Sequence, residues 1–165
     1  LKLIGEAHGM EIVIIRPPLV YGKGVKGNFA SLLKLARFPI PLPFGSIQNK
    51  RSFVSVENLV DLIVVCLNHP NAKNQTFLVS DDDDMSTSII FSRLADAGGY
   101  KAYIFSFPLV LLSISLRVLG KSAIYERLCG SMQVNIDYTK SQLGWKPPFK
   151  VKDSLSSCWL VDTER

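Results

Sequence analysis

Glu11-Ile12-Val13-Ile14-Ile15-Arg16-Pro17-Pro18-Leu19-Val20-Tyr21-Gly22-Lys23-Gly24-Val25-Lys26-Gly27 is the stretch whose reading decides the fold. Glu11–Arg16 is a near-continuous β-branched run. It offers no polar face to water, so a strand covered on both sides is expected, as in a parallel sheet. Pro17-Pro18 ends the strand because proline lacks the ladder's N–H donor. A glycine-rich loop is expected through Gly27. Asn28–Arg37 then carries Phe29, Leu32, Leu33 and Ala36 at helical spacing.

The same alternation continues outward. Before the strand, Leu1–Ala7 reads as the end of a helix stopped near Gly9. Phe38–Gly45 holds three prolines and is expected to be irregular. Arg51–Ser55 reads as a second strand, with Ser55 capping an apolar, buried helix over Leu59–Leu67. Gln75–Ser80 reads as a third strand and Asp81–Asp84 as a solvated turn. Ser86 or Thr87 is expected to cap a helix running to Gly98-Gly99. Further helices are expected over Lys121–Leu128, Tyr138–Leu143 (closed by Gly144) and Val151–Glu164, with Trp145–Pro148 as a rigid turn. Strands alternating with helices define an α/β chain with parallel pairing.

Composition narrows the classes of partner. The chain has 165 residues, 47% hydrophobic and 20% charged, which excludes a disordered chain, a collagen and a disulfide miniprotein. It begins at Leu1, without a signal-peptide pattern, and is expected to be a piece of a longer protein. Cys66, Cys129 and Cys158 have no metal-site spacing and are expected as reduced thiols, with no metal bound. The mean hydropathy of +0.21 comes largely from Ala102–Leu116, which carries no charge. That stretch is shorter than the roughly 20 apolar residues of a membrane span. A buried helix starting at Pro108 is the expectation, and a helix lying in a membrane interface the alternative.

The net charge of +5 is concentrated. Ile12–Val56 contains no Asp or Glu but holds Arg16, Lys23, Lys26, Lys34, Arg37, Lys50 and Arg51; the remainder, 12 cations against 14 acids, is −2. Basic loops at strand ends suit a phosphate-bearing ligand; a solvated basic face is the plainer alternative. Nucleic acid is not expected, because no aromatic-interleaved basic stripe is present. Gly22–Gly27 matches G-x-G-x-x-G literally. Two prolines and three more residues separate it from the strand, and no acid lies about 20 residues on, so a mobile basic loop is expected instead of a dinucleotide fingerprint.

Four segments together resemble one family. Arg16–Gly22, Gly27-Asn28-Phe29, Arg51–Asp61 and Leu143–Pro148 are similar, in order and spacing, to the extended short-chain dehydrogenases/reductases of the NAD-dependent epimerase/dehydratase group. The resemblance covers nearly the whole chain. Its nearest flavour is the UDP-glucose 4-epimerase-like enzymes and related reductases of bacterial surface-polysaccharide synthesis. It implies the C-terminal part of a Rossmann-type enzyme with a smaller mixed α/β substrate-binding domain. Residues 1–25 would be the tail of the dinucleotide-binding domain and 26–165 mostly substrate domain, with 52–80 returning to the Rossmann sheet. It also implies a UDP-sugar substrate, NAD or NADP held mainly outside this chain, a cytoplasmic location and a homodimeric enzyme.

The resemblance assigns Pro17, Pro18 and Leu19 to the nicotinamide side. It assigns Asn28, Phe29, Leu42, Phe44, Arg51 and Arg127 to the substrate, with Arg51 on the diphosphate and Leu42 and Phe44 along the uracil. Helix capping by Asn28, core packing of Leu42 and Phe44, and a surface role for Arg51 are the alternatives. The family's Tyr-x-x-x-Lys pair is absent: none of Tyr21, Tyr100, Tyr103, Tyr125 and Tyr138 has Lys four residues later. The catalytic pair and the cofactor glycines are therefore expected upstream of Leu1, and the isolated chain is expected to be inactive. A non-catalytic membrane-associated or assembly module, using 102–119 and the basic loops, is the rival reading.

Overall fold

The computed structural model describes residues 2–24 and 27–160. Helix α1 spans Lys2–His8 and stops where Gly9 turns to φ 64°. Strand β1 (Ile14–Arg16) is shorter than the β-branched run suggests. A second strand, β2 (Leu19–Tyr21), follows at once where a loop is expected. Two prolines leave room for it because they occupy the link between strands and no ladder position.

The four strands pair in parallel, and an antiparallel bridge joins Arg51 to Met85. Strand β3 (Phe53–Ser55) lies against β2, with Leu19 opposite Phe53 and Tyr21 opposite Ser55. Strand β4 (Thr76–Leu78) lies against β1, with Ile14 opposite Thr76 and Arg16 opposite Leu78. The result is two short two-stranded sheets.

Among the described residues seven further α-helices follow: α2 (Asn28–Ala36), α3 (Val56–Asn68), α4 (Thr87–Ala97), α5 (Leu109–Val118), α6 (Ser122–Cys129), α7 (Asp137–Leu143) and α8 (Val151–Ser157). The start signals act as expected at two of them. Ser55 Oγ accepts the Asn58 N–H at 3.1 Å, and Ser86 Oγ accepts the Ile89 N–H at 3.2 Å. Helix α7 closes at Gly144, left-handed at φ 61°. Pro108 sits one residue before α5 and not inside its first turn. The last helix, expected to run to Glu164, ends at Ser157 with Cys158 as its cap, and 161–164 lie outside the described residues.

Three apolar clusters hold these elements. Tyr21, Phe29, Phe53, Ile90, Leu94 and Leu155 join β2 and β3 to α2, α4 and α8. Val54, Leu62, Phe77, Ile136, Leu143 and Trp145 join the sheets to α3 and α7. Phe44, Ile47, Phe91, Ala95 and Leu112 gather the 42–47 segment, α4 and α5. Full burial of each large side chain contributes about 1.5–3 kcal/mol.

Two expectations of buried helices are corrected. In α3 only Asn58, Leu62 and Cys66 are buried, while Val60, Val64 and Leu67 are exposed. In α5 only Leu112 is buried. A run that is apolar all round carries no period to say which face is covered; neighbouring elements decide that.

The four aspartates are also corrected, because each has a partner and none is a bare solvated charge. Asp81 is buried and accepts from Tyr21 Oη (2.6 Å), Asn58 Nδ2 (2.7 Å) and the Ser55 N–H (3.0 Å). Asp82 pairs with Lys140 and Asp83 with Arg93, each at 2.7 Å. Asp84 accepts from Ser52 and Gln133. The tract ties the end of the β4 segment to β2, β3, α4 and α7.

Candidate functional site

A cavity of about 300 Å³ opens between β2, β3 and helices α2, α4 and α6. Its walls are Leu19, Leu32, Phe53, Ile90, Ile124 and Leu128, joined by Ser31, Thr87 and two arginines, Arg51 and Arg127. An apolar cleft with a few convergent polar groups is the usual form of a small-molecule site, and this volume is at the lower end of the range.

Arg51 is fixed by its backbone. Its N–H donates to the Met85 carbonyl at 3.0 Å and its own carbonyl accepts the Met85 N–H at 2.9 Å. Its guanidinium donates from Nη1 to the Arg127 carbonyl. Nε is buried and makes no hydrogen bond. An unpaired donor on a permanently charged group is costly unless a ligand accepts from it. Carboxylate or phosphate oxygens are the natural acceptors.

Asn49 sets the distance between two walls. Its buried amide donates to Thr87 Oγ1 (3.2 Å) and to the Leu128 and Gly130 carbonyls (3.1 and 2.8 Å), and its oxygen accepts the Thr87 N–H at 2.9 Å. The start of α4 is thereby tied to the end of α6, which holds Arg127 opposite Arg51.

Of the residues singled out from sequence, Leu19, Arg51 and Arg127 come together at this cavity. Phe29 does not line it; it is fully buried, with its ring centroid 5.4 Å from that of Tyr21. Leu42 and Phe44 belong to the third cluster, Phe44 meeting Phe91 edge to face at 5.8 Å. Core packing accounts for all three: Phe29 belongs to the first cluster, and the Leu42 backbone is held against residues 103–105, donating to the Tyr103 carbonyl at 2.8 Å and accepting the Phe105 N–H at 3.0 Å. Pro17 and Pro18 form the link between β1 and β2. Asn28 is the first residue of α2, behind Gly27 as cap, and its side chain lies outside what is described.

Ser31, Leu32, Phe53, Thr87, Ile90, Ile124 and Leu128 were missed. Two signals could have found some of them: Phe53 lies two residues past Arg51, and Ile124 and Leu128 share a helix face with Arg127.

One ground for setting aside the glycine motif also changes. β2 runs to Tyr21, directly before Gly22, so strand, loop and helix are adjacent after all. Gly22, at φ 144°, approaches Val56 so closely that a Cβ would lie 3.1 Å from that side chain. Close packing on the start of α3 explains this glycine without a ligand, and the missing downstream acid still argues against a fingerprint. Val25 and Lys26 lie outside the described residues.

Burial raises the thiols of Cys66 and Cys129, and burial with the nearby Glu57 pushes Cys158 up to about 12.

Comparison with known proteins agrees with the geometry. Residues 1–80 match the NAD dependent epimerase/dehydratase family. A UDP-glucose 4-epimerase of Vibrio cholerae is 52% identical over 156 residues, covering 94% of this chain and 48% of that protein. UDP-glucose 4-epimerase from Thermotoga maritima, solved with UDP-glucose, superposes with a TM-score of 0.67 at 16% identity, covering 96% of this chain and 48% of that one. UDP-glucuronic acid 4-epimerase from Bacillus cereus, solved with NAD, gives 0.68 at 18%, covering 95% and 44%. The chain spans about half the length of these relatives. Residues 1–80 thus match the NAD dependent epimerase/dehydratase family, and the fold of the chain is that of part of a Rossmann-type extended short-chain dehydrogenase/reductase.

Proposed function

We propose that this chain is the UDP-sugar-binding, C-terminal portion of an NAD(P)-dependent nucleotide-sugar epimerase or 4-reductase, a cytoplasmic homodimer serving surface-polysaccharide synthesis. The observation that carries this reading is the buried, unpartnered Nε of Arg51 in the wall of a cavity it shares with Arg127. The guanidinium, steadied by the Arg127 carbonyl, grips the diphosphate. Arg127 supplies a second charge, and the apolar walls exclude water and enclose the less polar parts of the ligand. Leu19 is the one residue of the Pro17-Pro18-Leu19 link that reaches this cavity, so the link joins the nicotinamide side to the substrate side.

A nicotinamide cofactor, when bound, would supply hydride chemistry for the sugar. This chain's residues hold the substrate in place for that step. The Tyr-x-x-x-Lys pair that moves the proton belongs upstream of Leu1, so the chain without it is inactive. Catalysis by residues 1–165 alone would refute that part.

Calorimetry with UDP tests the site. Arg51→Ala removes a charged hydrogen-bond donor worth about 1.5–3 kcal/mol, so affinity falls about 10- to 100-fold. Arg51→Lys recovers little, because a point charge cannot replace the fork. Unchanged UDP affinity in Arg51→Ala sinks the assignment.

A further inference from the structure

We propose that the outer face of α5 docks on an anionic lipid surface, a role separate from the nucleotide-sugar site and independent of it. The helix seats Leu109, Leu112 and Leu116 on the third cluster. Its other side is apolar too. Val110, Leu111, Ile114 and Val118 are 71%, 52%, 53% and 81% exposed, and Leu119 just beyond is 66% exposed. At 100° per residue, positions 110, 111, 114 and 118 fall on one arc. Scattered exposed apolar residues are ordinary, but a contiguous aliphatic face marks a binding surface.

Charge selects the occupant. Arg117 in the last turn of α5 and Lys121 just beyond it put two cations at that end of the exposed face, against one acid, Glu126 of α6, which lines a shallow depression with Arg117. Arg117 sits at the edge of the exposed arc. An aliphatic face rimmed by cations complements an acyl boundary beneath negative headgroups. A protein partner is disfavoured, because the arc lacks the Trp and Tyr anchors that dominate such interfaces. Among the described residues no helix is long and apolar enough to cross a membrane. Helix α5, with 10 residues, is about 15 Å long, so it lies in the interface plane.

The test is co-sedimentation of the full-length protein with phosphatidylcholine vesicles, with and without about a third phosphatidylglycerol. The expected result is binding to the anionic vesicles that exceeds binding to neutral ones by roughly fivefold per cation, about 25-fold for the two, and that weakens in high salt. Val110→Glu with Val118→Glu is expected to lower it more than tenfold. Arg117→Ala with Lys121→Ala, a fully surface change, is expected to remove most of the preference for anionic lipid. Urea midpoints matching the parent protein show that both variants fold. Absence of binding to anionic vesicles overturns the proposal, as does equal binding by either folded variant. Self-association in light scattering that the glutamate pair abolishes would overturn it in favour of a second copy.

Discussion

Replacing Asp81 with alanine strips the acceptor from three buried donors at once: Tyr21 Oη, Asn58 Nδ2 and the Ser55 backbone N–H. Tyr21 and Ser55 are fully buried, and Asn58 is 1% exposed. Water therefore cannot replace the carboxylate without entering the core. Each orphaned donor costs about 1–3 kcal/mol. Relief of the buried carboxylate returns part of this, so the net loss is about 3–5 kcal/mol, a large share of the 5–15 kcal/mol typical of a domain. Asn58 keeps its bonds to Phe149, donating to the carbonyl at 3.0 Å and accepting the N–H at 2.9 Å, so the damage centres on β2 and β3. Tyr21→Phe deletes one member and is expected to cost about 1–2 kcal/mol. Urea unfolding of the two single variants and the double variant measures the coupling. A loss below about 1 kcal/mol in Asp81→Ala, or additive single and double variants, would refute the reasoning.

The pH dependence of that difference has a definite sign. Burial raises the Asp81 carboxyl above its ordinary value, against the pull of its hydrogen bonds to Tyr21, Asn58 and Ser55. The native state therefore binds the Asp81 proton more tightly than the unfolded chain does. The stabilisation from that proton is fully present below the unfolded value of about 3.9 and is lost as pH rises through the native one. Parent minus Asp81→Ala stability is accordingly larger near pH 4 than near pH 7; the opposite trend in urea titrations counts against a raised carboxyl. Gly98→Ala places a methyl 2.5 Å from Trp159 Cε2, displacing an indole whose Nε1 donates to the Leu94 carbonyl at 3.0 Å. A cost of about 1–3 kcal/mol is expected by thermal melting, and a smaller one in a Trp159→Leu background. The three thiols are expected to react with an aromatic disulfide reagent far more slowly in folded than in urea-unfolded protein; rapid native labelling of Cys158 would contradict its burial.

Local signals carried much of the secondary structure. Ser55 and Ser86 announced their helices because a cap is satisfied within three residues of itself. Gly144 announced a stop because only a left-handed residue closes that turn cheaply. Arg51 was singled out through its resemblance to a family motif, and the structure sets it in the wall of the cavity. Strand β2 was not legible, because three residues between prolines and a glycine carry no period; only pairing with β3, more than 30 residues on, makes them a strand.

Sequence by itself determined the α/β class, the parallel pairing of the strands, the helix starts at Ser55 and Ser86, and the basic segment that ends at Arg51. Tertiary structure alone decided which apolar residues became wall and which became core. It sent Phe29, Leu42 and Phe44 inward and brought Ile90, Ile124 and Leu128 to the cavity beside Arg51. It turned a run of four acids into ties to Tyr21, Lys140, Arg93 and Ser52. Hydrophobicity and charge are properties of single residues, whereas burial and partnership depend on which distant segments the fold brings within a few ångströms.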